Sequence, residues 1–200
     1  MYRVLTGHPA CCHLVPHSDQ DAEIYNWRKV IIKGHFLPFS TPSHRNPIKL
    51  GPRIIEGDNG YHLVLPFLRT PNDKHGPRPR AILINLGFIK KELIDEQGMR
   101  AIKIPQGEVE LEGMLRRGRG ESAEKRAAGK KPSVFMPDND YELGEWFWMD
   151  AGGFAEYYSN KDTGDVMPLI CDLTYGQSHR RATAPLLRFP GLTCFSSDPH

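Results

Sequence analysis

The chain has 200 residues, the size of one domain, and its 39% hydrophobic and 25% charged residues exclude a wholly disordered protein. Lys and Arg (26) nearly balance Asp and Glu (24), and a net charge of +2 does not by itself indicate nucleic acid or an anionic membrane as the partner. The 19 glycines and 17 prolines are spread along the whole length, which excludes a helical bundle because interior proline breaks helices. The longest apolar stretches, 61–68 and 81–89, are shorter than the roughly 20 residues of a membrane-spanning helix.

The first patterned part of the chain predicts three strands. Residues 28–36 alternate apolar and polar side chains, which is the period of a half-buried strand. Residues 46–53 predict a second strand, and the Gly-Asp-Asn-Gly sequence at 57–60 predicts the turn after it. A third strand is predicted at 61–69, where Pro66 indicates an edge or a bulge because proline cannot donate to a strand ladder.

The middle of the chain predicts the most buried strand, a helix and the most regular strand. Residues 80–90 are apolar on both faces and are therefore expected at the centre of the sheet. Residues 91–98 predict a short helix that ends at Gly98. Residues 107–115 alternate glutamates with apolar residues, which predicts a strand with one wet and one buried face.

The last patterned part predicts a strand, a short helix and a final strand. Residues 145–150 place Trp146 and Trp148 on one face of a strand, where we expect core residues rather than stacking platforms because each indole buries a large area. Asp150 is expected to be the N-cap of the helix that follows. Residues 166–172 predict the final strand.

These elements predict a mainly β fold, namely a small antiparallel β-barrel or sandwich of six to seven short strands with one or two short helices. We expect the β-rich domain at 25–173, with a basic loop at 116–133. Irregular segments are expected at 1–24 and 174–200, because neither has a hydrophobic period and the first has no signal-peptide core.

No motif of the sequence indicates an enzyme or a metal site. The chain has no phosphate-binding loop and no HExxH, GxSxG or CxxC sequence. A lone histidine on a predicted strand, such as His35 or His62, is usually exposed or hydrogen-bonded rather than catalytic. Ligand-type residues at close spacing near the N-terminus are Cys11, Cys12, His13 and His17. They have no predicted scaffold on which four zinc ligands would converge, so we expect no metal there.

The basic segment at 116–131 has two interpretations. Its positive charges, opposed only by Glu121 and Glu124, are Arg116, Arg117, Arg119, Lys125, Arg126, Lys130 and Lys131. The simpler interpretation is a solvated loop between two strands. The alternative is a nucleic-acid-binding β-barrel that uses this loop, since its Arg-Gly-Arg-Gly sequence is similar to flexible RNA-binding segments.

Short motifs in a fixed order carry a family resemblance. They are KGHF at 33–36, LGPR at 50–53, GYHLVLPF at 60–67, ILINLGFI at 82–89, GEVELEG at 107–113, FMPDN at 135–139, and Trp146 with Asp150. Their order and spacing, from about residue 25 to 173, resemble the surfeit locus protein one family, whose yeast member is called Shy one. Its members are cytochrome c oxidase assembly factors.

The resemblance implies a location, a role and partners. Family members lie in the mitochondrial inner membrane or the bacterial plasma membrane, with two membrane helices flanking a β-rich domain that faces the intermembrane space or periplasm. They act like chaperones, not enzymes, in the maturation of the oxidase's first subunit near heme a insertion. The implied partners are that subunit and other assembly factors, and no nucleic acid.

The chain also departs from the family pattern. Asn85-Leu86-Gly87 stands where the family commonly has Asn-Arg-Gly, and Leu65-Pro66 stands where it commonly has Thr-Pro. The family's membrane helices are not recognisable here, so membrane association requires flanking helices, and a truncated, non-functional isoform is a further alternative. Bacterial members are linked to heme a through a histidine of the second membrane helix. No position here corresponds to it, so we expect no cofactor in this chain.

The motif residues that we single out are structural, with no catalytic, cofactor-binding or metal-binding residue among them. They are Gly34, Gly51, Pro52, Arg53, Gly60, Pro66, Asn85, Gly87, Gly113, Phe135, Pro137, Asn139, Trp146 and Asp150. The glycines at 34, 51, 87 and 113 are expected at bulges or close backbone approaches, where a Cβ would clash. Pro137 and Asn139 are expected to shape the turn before the tryptophan strand.

Overall fold

The computed structural model describes residues 27–38, 45–70, 81–97, 104–117, 135, 137–140, 145–160, 163–174 and 192–193. The strands in this part of the chain are β1 Arg28–Phe36, β2 Ile48–Ile55, β3 Asp58–Arg69, β4 Ala81–Lys90, β5 Val109–Arg117, β6 Glu145–Trp146, β7 Val166–Leu173 and β8 Leu192–Thr193. The helices are α1 Lys91–Gln97 and α2 Ala151–Tyr158. None of the helices described here is long and apolar enough to cross a membrane.

Five strands pair into a closed ring, in the order β3, β1, β5, β7, β4 and back to β3. Outside the ring, β2 pairs with β3 and carries β6, while β8 pairs with β4. The mainly β fold class is therefore confirmed. The sheet is mixed, however, because β4 pairs with β7 and β2 pairs with β6 in parallel. Parallel neighbours need a crossover connection. The crossover from β4 to β7 contains β5, β6 and α2.

Two apolar clusters lie on the two sides of the ring. The inner cluster takes alternate residues from all five ring strands and one from α1: Val30, Ile32, Phe36, Leu63, Leu65, Phe67, Ile82, Ile84, Leu86, Ile89, Ile94, Leu111, Leu115, Met167, Leu169 and Cys171. The outer cluster joins α2, β2 and β6 to the outer face of β3, β4 and β7: Ile48, Leu50, Val64, Leu68, Ala81, Leu83, Trp146, Ala151, Phe154, Ala155, Tyr157, Tyr158, Val166 and Ile170. Because both faces of β4 are covered, its sequence is apolar except for Asn85 and the final Lys90, as predicted for the central strand.

The hydroxyl of Tyr158 ties α2 to the strands beneath it. It accepts a hydrogen bond from the Ile48 amide at 2.8 Å and lies 2.8 Å from the Val64 carbonyl oxygen and 3.1 Å from that of Asn46. Burial raises the pKa of Tyr158 well above its ordinary value, so the phenol stays neutral and able to donate.

A two-residue turn joins β2 to β3, earlier than the sequence predicted. Glu56 and Gly57 form it with φ values of 53° and 89°, and Asp58 already pairs with Ile55. Positive φ at both central residues matches the twist of the flanking strands. The predicted turn at 57–60 was therefore wrong in position, because hairpin pairing begins directly after Gly57.

The limits of the predicted loop and tail also change. β5 continues to Arg117, so the strand includes the first two residues of the predicted basic loop. Residues 118–134 lie outside the described residues. The predicted irregular tail contains β8, whose Leu192 and Thr193 pair with Ile89 and Phe88 of β4. The predicted segment 1–24, with the cysteines and histidines of the rejected zinc site, is also outside the described residues.

Candidate functional site

Four polar side chains from four ring strands meet on the outer face of the ring, and we call His62, Asn85, Arg116 and Asp172 the polar cluster. Asn85 is at its centre and only 6% exposed. Its Nδ2 donates to Asp172 Oδ1 at 2.8 Å and lies 3.4 Å from His62 Nδ1, while its Oδ1 accepts from the Gly87 amide at 3.1 Å. The buried amide is thus hydrogen-bonded through both of its ends, as a buried polar group must be.

Arg116 completes the polar cluster with an ion pair. Its Nη2 donates to Asp172 Oδ1 at 3.0 Å, and its Nε pairs with Asp172 Oδ2. The guanidinium carbon also lies 5.7 Å from the ring centroid of Trp27, within the range of a cation–π contact. The charge of Arg116 is therefore paired with Asp172 within the fold. Its position on β5 removes one of the cations from the basic surface that the nucleic-acid alternative needs.

The electrostatics of the polar cluster keep His62 neutral at neutral pH. Burial lowers the pKa of His62, more than the Asp172 charge raises it, and Arg53 and Arg116 lower it further. Next to Asp172, burial also raises the pKa of the Cys171 thiol, which therefore stays protonated inside the ring. Within the described residues, no group of three or more His, Cys, Asp or Glu could hold a metal ion.

A second group of the predicted residues, Arg53, Asn139, Trp146 and Asp150, lies where β2, β6 and α2 meet; we call it the motif junction. Arg53 follows a register shift in β2 at the cis Gly51-Pro52 bond, and its Nη2 donates to the Phe147 carbonyl oxygen at 3.1 Å. The side chain of Asp150 accepts from the Gly153 amide at 3.0 Å, which confirms the predicted N-cap of α2.

Asn139 explains why the predicted tryptophan strand ends early. The strand was predicted over 145–150, but β6 contains only Glu145 and Trp146. Asn139 Oδ1 accepts from the amides of Phe147 at 2.9 Å and Trp148 at 3.2 Å, and its Nδ2 donates to the Trp148 carbonyl oxygen at 3.3 Å. A side chain thus takes the backbone bonds that a neighbouring strand would make, and the chain bends toward α2.

We expect Asn139→Ala to lower the free energy of unfolding by about 2 kcal/mol, because it leaves the two amides of the bend without their acceptor. Urea denaturation followed by circular dichroism measures this change. The matched control is Asn59→Ala at an exposed position of the β2–β3 hairpin, which is expected to change stability by less than about 0.5 kcal/mol. Equal losses in the two variants would contradict the role of Asn139.

The remaining predicted residues lie in several parts of the fold. Gly87 lies beside a register shift between β3 and β4 and forms a bulge there. Its φ of 102° is a backbone conformation that L residues rarely adopt. Along β3, pairing with β2 ends at Val64 and pairing with β1 begins at Phe67. Pro66 lies between these two pairings. Phe135 is exposed to 96%. Gly34, Gly60 and Gly113 are at close approaches of neighbouring strands.

Sequence reasoning found only Asn85 of the polar cluster. His62 was identified as a lone strand histidine and Arg116 as part of a loop, and Asp172 was only the end of a predicted strand. His62, Asn85 and Asp172 each lie between two apolar residues of a strand, which is the one signal the sequence carries, and Arg116 lacks even this signal because Arg117 follows it. Their meeting depends on the parallel register of β4 and β7, in which Asn85 is opposite Asp172, and no local pattern reveals that register.

Comparison with known proteins adds the family. A model described as the SURF1 family matches residues 9–192, a longer stretch than the 25–173 that the motifs indicated. The chain is 35% identical over 88 residues to "Cytochrome oxidase assembly protein SHY1" of Saccharomyces cerevisiae, covering 43% of this chain and 20% of that protein. It is 24% identical over 170 residues to "SURF1-like protein" of Monosiga brevicollis, covering 80% and 54%.

A third relative is "Surfeit locus protein 1" of Arabidopsis thaliana, 25% identical over 177 residues that cover 68% of this chain and 45% of the plant protein. The chain thus spans between 20% and 54% of the lengths of these relatives. The family model covers most of the chain, and its match agrees with the motif order from KGHF to the Trp146–Asp150 pair. The chain therefore belongs to the SURF1 family.

Proposed function

We propose that this protein is an assembly factor for mitochondrial cytochrome c oxidase. The observation that carries the proposal is the 35% identity over 88 residues to a yeast protein named for oxidase assembly. The finer proposal is action during maturation of the oxidase's first subunit, near heme a insertion. It places the protein at the inner membrane, with the β-rich domain facing the intermembrane space.

The proposed mode of action is protein–protein contact, without catalysis. The side chains of the polar cluster form hydrogen bonds with one another, and these bonds hold strands together. Trp27 and Ile54, by contrast, are large apolar side chains with exposures of 62% and 74%. We propose these two side chains as contact residues for a protein partner, since a tryptophan is a common anchor of protein–protein contacts. The proposed partners are the first subunit of the oxidase and other assembly factors.

The proposal is tested by depleting the protein and re-expressing it with an affinity tag. Assembled cytochrome oxidase and its activity are expected to fall while the other respiratory complexes keep their levels, and re-expression is expected to restore them. The tagged protein is expected to co-purify with newly made first subunit. Normal oxidase in depleted cells would show that the proposal is wrong.

A pair of variants tests whether the exposed apolar residues make the contact. Re-expressed Ile54→Ser is expected to retain its fold, because Ile54 is on the exposed tip of the β2–β3 hairpin, but to recover less first subunit in the co-purification. The control is His35→Ser, at an exposed position of β1, which is expected to recover as much as the unchanged protein. Equal recovery by both variants would exclude the hairpin tip as the contact.

A further inference from the structure

We infer that the polar cluster is an acid-sensitive latch, which holds β3, β4, β5 and β7 together on the outside of the ring while His62 is neutral and releases β4 and β7 when His62 takes up a proton. This inference goes beyond the proposed assembly role and does not depend on it. It rests on the position of the cluster, the direction of its hydrogen bonds and the charges around the imidazole.

The latch lies at one end of the parallel pairing of the ring. Asn85 and Asp172 are the last registered pair between β4 and β7, the ring's parallel pairing. Directly beyond this pair, β4 has the Gly87 bulge and shifts its register against β3. The side-chain bond from Asn85 to Asp172 therefore closes the seam at the point where its backbone ladder ends.

The bonds of Asn85 determine what His62 must do. Its Oδ1 accepts from the Gly87 amide and its Nδ2 donates to Asp172, so the amide cannot be turned over without losing both bonds. The group that faces His62 Nδ1 is therefore an N–H donor. A neutral imidazole with its proton on Nε2 accepts that bond, whereas a protonated imidazole presents a second donor and loses it.

The charged groups around His62 come from three other strands. Arg53 faces it from β2, Arg116 from β5 and Asp172 from β7, while β4 presents the uncharged Asn85 and the edge of the Phe88 ring at a centroid distance of 6.2 Å. Among the described residues, Asp172 is the one anion that acts on His62, and it is already paired with Arg116. A proton on His62 would thus add a positive charge in a half-buried place between two arginines.

The direction of the pH effect follows from the lowered pKa of folded His62. In the unfolded chain the imidazole titrates near 6.5, so between that pH and the lower folded pKa the unfolded chain binds more protons. The contribution of the latch is complete above about pH 6.5 and is lost as the pH falls through the folded pKa. As the pH falls from above 6.5 to below the folded pKa, the equilibrium constant for unfolding is expected to rise. The rise is roughly tenfold for each unit by which folding lowers the pKa of His62.

The latch also connects to the outer edge of the sheet. The Phe88 ring that packs on His62 belongs to the residue that pairs with Thr193 of β8. Release at Asn85 therefore loosens the segment of β4 to which β8 is attached. We expect β4, β7 and β8 to open together, and β1 with β5 to stay protected, because ion pairs from Lys29 to Glu112 and from Lys33 to Glu110 join those two strands elsewhere.

The test compares the full-length protein with two variants between pH 5.5 and 7.5. His62→Gln keeps an amide oxygen able to accept from Asn85 but takes up no proton, and His35→Gln is the matched change at an exposed histidine of β1. Urea unfolding at each pH is expected to show stability falling with acid in the unchanged protein and in His35→Gln, and a flatter profile in His62→Gln. Equal pH dependence in all three proteins would overturn the inference.

A second measurement needs no variant and distinguishes a latch from general acid instability. Hydrogen exchange of the unchanged protein, corrected for intrinsic rates, is expected to increase at pH 5.5 in β4 and β7 and to remain low in β1 and β5. Nitrogen-15 spectra are expected to show His62 Nδ1 without a proton at pH 7.5, and its titration is expected to follow the increase in exchange. Uniform acceleration across the sheet, or a proton on Nδ1 at pH 7.5, would overturn the inference.

Discussion

Trp146→Ala is expected to lower the free energy of unfolding by about 3–5 kcal/mol, the range for removing a fully buried tryptophan. Trp146 has no exposed surface and belongs to the outer cluster that holds α2 against the ring. Its indole meets the Phe154 ring edge-on at 4.6 Å and the Tyr157 ring at 6.0 Å, so alanine removes both contacts and leaves a cavity under α2. Because Trp146 also lies in the motif junction, β6 is expected to detach from β2.

Thermal and urea unfolding of the variant measure this loss, and Trp27→Ala is the matched control. Trp27 is 62% exposed and contacts Arg116 through one face, so its removal is expected to lower the free energy of unfolding by no more than about 1 kcal/mol. A similar loss for both variants would show that Trp146 is not a core residue. Because Trp146 is fully buried, any loss of the proposed oxidase assembly role in Trp146→Ala is expected to follow from lost stability and not from a lost contact with a partner.

Gly34→Ala is expected to prevent stable closure of the ring, with a loss of about 3 kcal/mol or more. A Cβ at Gly34 would lie 2.0 Å from the Leu68 carbonyl oxygen and 2.9 Å from Arg69 Cα, both of them backbone atoms. Gly34 is paired with Arg69 where β1 meets β3, the contact that joins these two strands of the ring. The methyl group therefore overlaps the backbone of β3, which cannot move aside as a flexible side chain can.

The control for Gly34→Ala adds the same methyl group at Gly107. A Cβ there meets nothing within 4 Å, and only its φ of 86° disfavours alanine, which costs about 1–2 kcal/mol. Melting temperatures of the two variants compare steric overlap with backbone strain. If Gly107→Ala lost as much stability as Gly34→Ala, close packing at the β1–β3 crossing would not be what requires glycine.

Local patterns in the sequence predicted most of the elements. Alternation at 28–36 and continuous apolarity at 80–90 led to β1 and β4, which span Arg28–Phe36 and Ala81–Lys90. The prediction of Asp150 as an N-cap was also right. In each case the determining interaction is within the element or with its immediate flank, so it is visible in a short window of sequence.

Longer-range features were predicted poorly. The prediction of an extended tryptophan strand was wrong because Asn139, several residues earlier, accepts hydrogen bonds from the amides of Phe147 and Trp148. The loop prediction at Arg116 failed because Asp172, on a distant strand, neutralises the arginine and lets β5 continue. In both cases a side chain outside the window supplies the partner that the local pattern lacks.

By itself, the sequence determined the mainly β class, the central strand, the helix cap and, through the order of its motifs, the family. Those conclusions depend on periodicity and on residue types at short spacing, which need no knowledge of where distant strands pair. Only the tertiary structure decided that β4 and β7 run parallel, that five strands close a ring, and that His62, Asn85, Arg116 and Asp172 meet. Strand register is set by packing across the whole ring, and a shift of one residue would turn each of these side chains to the other face of the sheet.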